Sequence, residues 1–181
     1  MGGWTMRYAA LLRGINIGGR RIKMEDLRHV LASNGFANPQ TLLQSGNCVF
    51  DTDLKGRNEI EEALESICEA AFGFKVPFYV RSRSALESAL DHNPFPEMAH
   101  KDPSHLVLHF FKAVPDEAQI ADINWPGPEE LSLKGDVLYI SCPNGIGTSE
   151  LFKDRRISKI LKTATARNWT TVQKLHAMTE D

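Results

Sequence analysis

The sequence is poor in cysteine, and the cysteines it has are not arranged to cross-link or to bind metal. The three of them, Cys48, Cys68 and Cys142, lie far apart and include no C-x-x-C pair. Neither a disulfide framework nor a cysteine zinc site is therefore expected. Because disulfide-free chains suit a reducing compartment, we predict a cytoplasmic protein.

Long apolar runs and metal-ligand spacings are also missing. No apolar run approaches the ~20 residues that a membrane-spanning helix requires, and the first six residues carry no signal-peptide pattern. Two of the six histidines, His105 and His109, fall on one face of a predicted strand. Four residues of strand separate them by roughly 13 Å, too far to share a metal ion. We therefore predict no membrane partner, no metal site and no cofactor.

Named catalytic and phosphate-binding motifs are absent as well. The chain contains no G-x-S-x-G nucleophile elbow and no legible Ser-His-Asp partnership, so no catalytic residue is predicted. It also lacks the dinucleotide fingerprint G-x-G-x-x-G and the P-loop with its Lys-Ser/Thr ending. Whether the protein is an enzyme stays open at this point.

The chain has the size and composition of an ordinary globular protein with an uneven charge distribution. Its 181 residues with 42% hydrophobic content suit one large domain or two small ones. The net charge of −2 divides into about +4 for residues 1–28, −10 for residues 29–150 and +4 for residues 151–181. The basic ends either form one face for a phosphate-bearing ligand or simply solvate their helices.

Hydrophobic periodicity predicts six elements in the first half, in the order β-α-β-β-α-β. The predicted strands cover residues 7–12, 41–44, 48–50 and 75–80, and the predicted helices cover residues 24–34 and 58–72. In the second helix Ile60 and Leu64 mark the apolar face. The acidic residues Glu61, Glu62, Glu65 and Glu69 are expected on the solvent face. Pro77 indicates either an edge position for the fourth strand or a bulge.

The second half repeats this plan. After a helical link (84–90) and a loop (93–96), strands are predicted at 104–111, 130–133, 137–141 and 163–165, and helices at 115–123, at 150–161 and from about 168 onward. The fold prediction is α+β, with two ferredoxin-like βαββαβ-type halves whose antiparallel sheets carry their helices on one face. The predicted halves are residues 1–82 and residues 83–181, the latter with an extra C-terminal helix.

One stretch, residues 13–21, combines three glycines with three arginines between a predicted strand and helix. We call it the glycine loop. Backbone N–H groups at such a turn, with flanking arginines, are suited to holding an anion, although a plain strand-to-helix turn explains the glycines equally well. In the predicted topology the hairpin at residues 45–47 emerges at the same end of the sheet, so the two should be neighbours.

The predicted ligand-binding residues come from the loop, the hairpin and a third stretch near the C-terminus, where Arg167 joins a local basic run. They are Arg13, Gly14, Asn16, Gly18, Gly19, Arg20, Gln44, Ser45, Gly46, Asn47, Arg167 and Asn168. For the hairpin residues, turn chemistry alone is the competing interpretation. Asn168 or Thr170 is also a candidate helix N-cap.

Three stretches resemble the signatures of a bacterial family of uncharacterised proteins known as domain of unknown function 1697. They are LLRGINIGG at 11–19 with IKM at 22–24, QSGNCVF at 44–50, and ATARNWTTV at 164–172 with KL at 174–175. The resemblance implies a duplicated ferredoxin-like α+β architecture. It supplies no activity, cofactor or catalytic residue.

We expect a binding protein for a phosphate-bearing ligand, either a nucleotide or nucleic acid. The alternatives are an enzyme acting on a phosphorylated or carboxylated small molecule and a non-catalytic assembly protein. Since the first and third predicted strands lack a row of aromatics, nucleic-acid binding of the RRM kind is not expected. The oligomeric state is left open.

Overall fold

The computed structural model describes residues 5–43 and 46–180, which divide into two compact units. The first contains the described residues up to Glu87 together with those from Leu175 onward, and the second is Ser88–Lys174. Each unit holds one four-stranded antiparallel sheet with helices. The predicted α+β fold of two similar, ferredoxin-like halves is confirmed. No helix within the described ranges is long and apolar enough to cross a membrane.

The chain begins with six elements in the order β-α-β-β-α-β. They are β1 (Met6–Leu12), α1 (Met24–Ser33), β2 (Ala37–Leu42), β3 (Asn47–Thr52), α2 (Arg57–Phe72) and β4 (Phe78–Ser82). The strand order is β2-β3-β1-β4, and every neighbouring pair is antiparallel. This is the order of a ferredoxin-like sheet, in which β1 and β2 run parallel with β3 between them.

Nine further α-helices and strands complete the described chain, together with two short 3-10 helices at Pro103–His105 and Leu151–Lys153. The nine are α3 (Arg83–Asp91), α4 (Pro96–Lys101), β5 (Leu106–Phe111), α5 (Glu117–Ala121), β6 (Glu130–Lys134), β7 (Val137–Ser141), α6 (Arg155–Leu161), β8 (Ala164–Asn168) and α7 (Trp169–Met178). The second sheet has the order β6-β7-β5-β8, which is the same pattern as the first. Residues 93–96 were predicted to be loop, and the prediction was incomplete because Pro96 opens α4 in the first helical turn, where its missing N–H costs nothing.

The core of the first unit lies between one face of its sheet and the two helices. Alternate β1 residues such as Ala10 and Leu12 are buried against Leu31 of α1. Phe36 meets Phe50 edge to face, with ring centroids 5.1 Å apart. Because a strand points successive side chains to opposite faces, this single alternation fixes which side of β1 the helices cover.

The end of α7 returns to the first unit, where Arg7 holds it. The Arg7 guanidinium donates through Nε to the carbonyl of Met178 at 2.8 Å and through Nη1 to Asp51 at 2.9 Å. A cation at the carbonyl end of a helix also complements the helix dipole. Arg7 therefore ties the C-terminal residues to the strand β1.

The prediction that Glu61 faces solvent was wrong. Glu61 is 3% exposed, and its Oε1 accepts the N–H of Val80 at 2.9 Å; one turn later Glu65 accepts the N–H of Phe78 at 3.0 Å. The reason is that β4 is an edge strand, as the position of Pro77 indicated, so its outward N–H groups need acceptors. Two carboxylates of α2 supply them.

His109 makes the second unit sensitive to acid. It is 6% exposed on β5, its Nε2 has no hydrogen-bond partner among the described residues, and burial lowers its pKa from 6.5 to about 4. Below pH 6.5 the His109 imidazole is protonated in the unfolded chain, whereas in the folded chain it stays neutral down to about pH 4. The free energy of unfolding therefore falls as the pH drops from 6.5 towards 4.

We expect His109→Leu to reduce the loss of unfolding free energy between pH 7 and pH 5 by about 2 kcal/mol relative to the parent protein. Urea denaturation at the two pH values measures this difference. The same substitution at exposed His92 is the control, and it should leave the pH dependence unchanged. Equal acid sensitivity in the parent protein and the His109 variant would show that this imidazole is not the cause.

Candidate functional site

The glycine loop is a compact turn between β1 and α1. Four of its residues have left-handed φ angles: Gly14 (71°), Asn16 (58°), Gly18 (56°) and Gly19 (89°). The loop closes on itself, because the N–H of Asn16 donates to the carbonyl of Arg20 at 2.6 Å and the N–H of Arg20 donates to the carbonyl of Ile17 at 3.2 Å. Glycine adopts these angles without strain, which is why the turn is glycine-rich.

The side chain of Asn16, an exposed residue, braces this loop. Its Oδ1 accepts the N–H of Ile22 at 3.0 Å, so the side chain ties the start of the turn to the residue that leads into α1. Asparagine tolerates the left-handed region better than most residues and can bond its own backbone neighbours there. The geometry gives Asn16 a structural part, and its predicted contact with a ligand stays a prediction.

The hairpin between β2 and β3 packs against the glycine loop, which confirms that the two are neighbours. The carbonyl of Gly46 accepts the N–H of Leu12 at 2.8 Å. A Cβ added to Gly46 would lie 2.7 Å from Cδ1 of Ile15, so the contact admits no side chain. Gln44 and Ser45, which were predicted to bind the ligand, lie outside the described residues.

Asn47 closes the same hairpin. It is fully buried, faces Leu11 across the β1–β3 ladder, and donates from Nδ2 to the carbonyl of Leu42 at 2.9 Å. Because a carbonyl at the end of a strand needs a donor when it is shielded from water, this hydrogen bond stabilises the turn conformation. Its role as a ligand donor stays a prediction.

The arginines of the loop are differently placed. Arg20 and Arg21 are exposed and Arg13 is partly buried. Within the described ranges, none of the three guanidinium groups forms an ion pair or a hydrogen bond. The N–H groups of Gly18 and Gly19 likewise donate to no described residue. The loop thus presents positive charge and backbone donors that its own fold does not use.

The positive end of the α1 helix dipole contributes little to anion binding at the loop. Glu25 and Asp26 lie in the first turn of this helix, and their carboxylates already complement its positive end. The groups available to bind an anion are therefore the loop arginines and the loop backbone N–H groups.

A cavity of about 460 Å³ opens between the start of α1 and the end of the edge strand β2, and its lining begins two residues after the glycine loop in the chain. It is lined by Lys23, Met24, Glu25, Arg28, Thr41 and Leu43. Sequence reasoning did not single out these residues as a site. Lys23 and Met24 lie in one of the stretches on which the family resemblance rests. The contact between Arg28 and Thr41 could not be predicted, because the sequence does not show which strand lies beside α1.

Arg167 and Asn168 lie at the end of β8 in the second unit. Arg167 donates from Nη1 to Thr165 Oγ1 at 3.0 Å and to the carbonyl of Ala166 at 2.7 Å, and burial lowers its pKa to about 10. It is still charged at neutral pH. Asn168 Oδ1 accepts the N–H of Thr171 at 2.9 Å, which confirms the predicted helix cap. Ligand binding by either residue stays a prediction.

A polar cluster that the sequence did not reveal lies elsewhere in the second unit. Glu129, 8% exposed, accepts from the Trp125 indole at 2.6 Å and from the Ser149 hydroxyl at 2.5 Å. Burial raises its pKa, but these hydrogen bonds outweigh that effect and the pKa is lowered overall. Among the described residues, no group of three or more His, Cys, Asp or Glu side chains could hold a metal ion.

The fold and the loop define an α+β protein with two ferredoxin-like halves and a cationic glycine loop at one sheet end. The family model described as "Protein of unknown function (DUF1697)" matches residues 6–139, and the chain belongs to this family. The solved structure of conserved bacterial protein SP0830 from Streptococcus pneumoniae is similar, with 22% identity and a TM-score of 0.77 over 98% of this chain and 100% of that one. At this identity the likeness shows the fold alone. No curated protein matches the chain.

Proposed function

We propose that the protein recognises anions and that its glycine loop holds a phosphate-bearing ligand, either a nucleotide or nucleic acid. One observation carries the proposal: Arg13, Arg20 and Arg21 stand on a braced loop without an ion pair or hydrogen bond to any described residue. The three guanidinium groups carry like charges on one loop, and a bound anion would supply the opposite charge that no described residue provides.

The energetics suit a site of moderate affinity. Charge-assisted hydrogen bonds from arginine to phosphate contribute about 1.5–3 kcal/mol each, although exposure and salt reduce this. Two or three such bonds, with the free N–H groups of Gly18 and Gly19, are enough for a micromolar dissociation constant. The backbone that positions them is already closed by Asn16, so little ordering is needed on binding.

The described side chains of the loop and hairpin favour recognition over catalysis. They offer guanidinium and amide groups. Proton transfer at neutral pH instead needs a group whose pKa lies near 7. A second candidate, an assembly protein, is favoured by the exposed apolar side chains of Ile17 (67%) and Leu43 (54%). Light scattering that shows an obligate dimer with the loop arginines buried would favour assembly over anion binding.

Arg20→Ala with Arg21→Ala is expected to weaken binding of inorganic phosphate and of nucleotides by roughly 100-fold, about tenfold for each lost guanidinium. Isothermal titration calorimetry at ~50 mM salt measures the change, and binding of single- or double-stranded nucleic acid should fall steeply with added salt. The charge-matched control is Lys101→Ala with Lys134→Ala, at exposed positions outside the two basic ends of the chain.

Unchanged affinity in the loop variant would contradict the proposal. If DNA and RNA both bind more weakly than ~100 μM at ~50 mM salt, the protein does not bind nucleic acid as proposed, because low salt favours phosphate contacts.

A further inference from the structure

We propose that the ligand of the glycine loop is a mononucleotide, with its phosphate on the loop arginines and its base in the adjoining cavity. This rests on the proposed function and names the class of ligand. The cavity, about 460 Å³, lies within the range of ordinary small-molecule sites. Its lining begins at Lys23, which follows Arg21 by two residues in the chain.

The lining of the cavity includes two apolar side chains that are suited to contact a flat ring. Met24 supplies a flexible thioether side chain, and Leu43 supplies an aliphatic one that is 54% exposed. Leu43 also has a φ of 61°, a left-handed conformation that is costly for leucine. Leu43 lies in the turn after β2, and strained backbone conformations of this kind are enriched at ligand sites.

Its polar groups match a nucleoside. Arg28 donates from Nη1 to Thr41 Oγ1 at 2.5 Å, which fixes the guanidinium beside the cavity, where it can stack on a base or donate to a ring nitrogen. Glu25 adds a carboxylate that accepts from a ribose hydroxyl or an exocyclic amine. An inorganic anion has no ribose or base to contact Glu25 or to stack on Arg28, whereas a nucleotide has both.

The sheet itself argues against a longer nucleic acid. Single strands are usually bound by exposed aromatic side chains on which successive bases stack. The aromatic residues of the central strands β1 and β3 are Tyr8 and Phe50, which are 7% and 0% exposed. The described part of the sheet thus offers no stacking row, while the cavity accommodates one base.

Calorimetric titrations with inorganic phosphate, adenosine, and the four ribonucleoside 5′-monophosphates test the inference. We expect at least one monophosphate to bind ten times or more tightly than phosphate or adenosine. Leu43→Ser, Thr41→Val and Arg28→Ala should each weaken that monophosphate at least fivefold while leaving the affinity for phosphate unchanged. Val114→Ser, at an aliphatic side chain that is 63% exposed in the second unit, is the control for Leu43→Ser.

The outcomes separate this inference from the proposed function. If phosphate and all monophosphates bind alike, and the cavity variants change nothing, the base site is overturned while anion recognition stands. If neither phosphate nor any nucleotide binds, both are overturned. Tight binding of oligonucleotides that is insensitive to Leu43→Ser would also overturn the mononucleotide assignment.

Circular dichroism of each variant verifies its fold, and Thr41→Val, which keeps the side-chain shape, provides a result if Arg28→Ala fails to fold.

Discussion

Gly46→Ala is expected to lower the free energy of unfolding of the first unit by about 2–4 kcal/mol. Two costs combine. Gly46 has a φ of 85°, which an alanine adopts only with strain, and the added Cβ would lie 2.7 Å from Ile15 Cδ1 and 2.9 Å from Leu12 Cβ. The second contact is with an atom fixed to the backbone of β1, so the hairpin and the glycine loop must move apart.

Gly18→Ala is the matched control for this prediction. Gly18 also has a left-handed φ, 56°, but a Cβ there would meet nothing within 4 Å. Gly18→Ala should lower the free energy of unfolding only by the cost of the strained backbone conformation, about 1 kcal/mol. Urea denaturation of both variants measures the difference, and an equal cost at the two glycines would show that the loop–hairpin contact is not tightly packed.

Glu61→Ala is expected to destabilise the first unit by about 2–4 kcal/mol, because it leaves the buried N–H of Val80 without its acceptor and opens a cavity. The loss also uncovers the outer edge of β4, so the variant should aggregate more readily on warming. Thermal unfolding with light scattering measures both effects.

Two controls isolate the role of the carboxylate. Glu62→Ala, on the exposed face of the same helix, should change stability by no more than about 0.5 kcal/mol. Glu61→Gln keeps an acceptor oxygen of similar reach and should recover part of the loss. If Glu61→Ala and Glu62→Ala behave alike, the hydrogen bond to β4 does not stabilise the fold.

The element order could be predicted because each element carries a local signal. Helix α2 has an apolar face that repeats at helical spacing and ends at Gly73, whose φ of 79° is the usual helix stop. Strand β2 was harder: Pro39 and the polar residues around it do not read as a strand, and the predicted strand began only at residue 41. The structure starts it at Ala37, because an edge strand with a register shift between Ala37 and Gln40 tolerates proline.

The candidate site was only partly predictable for a different reason. Topology alone placed the hairpin beside the glycine loop, and the contact between Gly46 and Ile15 bears this out. The sequence could not show that Asn16 and Asn47 direct their amides into the fold, nor that Glu61 turns from the polar face of α2 towards β4. Polar side chains that satisfy backbone groups across an element boundary leave no periodic pattern to detect.

The central claim is that the glycine loop binds an anion, and titration of the isotope-labelled protein with inorganic phosphate, followed by ¹⁵N–¹H correlation spectra, tests it most directly. We predict saturable shifts of the backbone amides of Gly18 and Gly19 and of the side-chain Nε–H signals of Arg20 and Arg21. These shifts should be absent with matched chloride. Unchanged loop resonances at saturating phosphate, or shifts confined to other parts of the chain, would contradict the account.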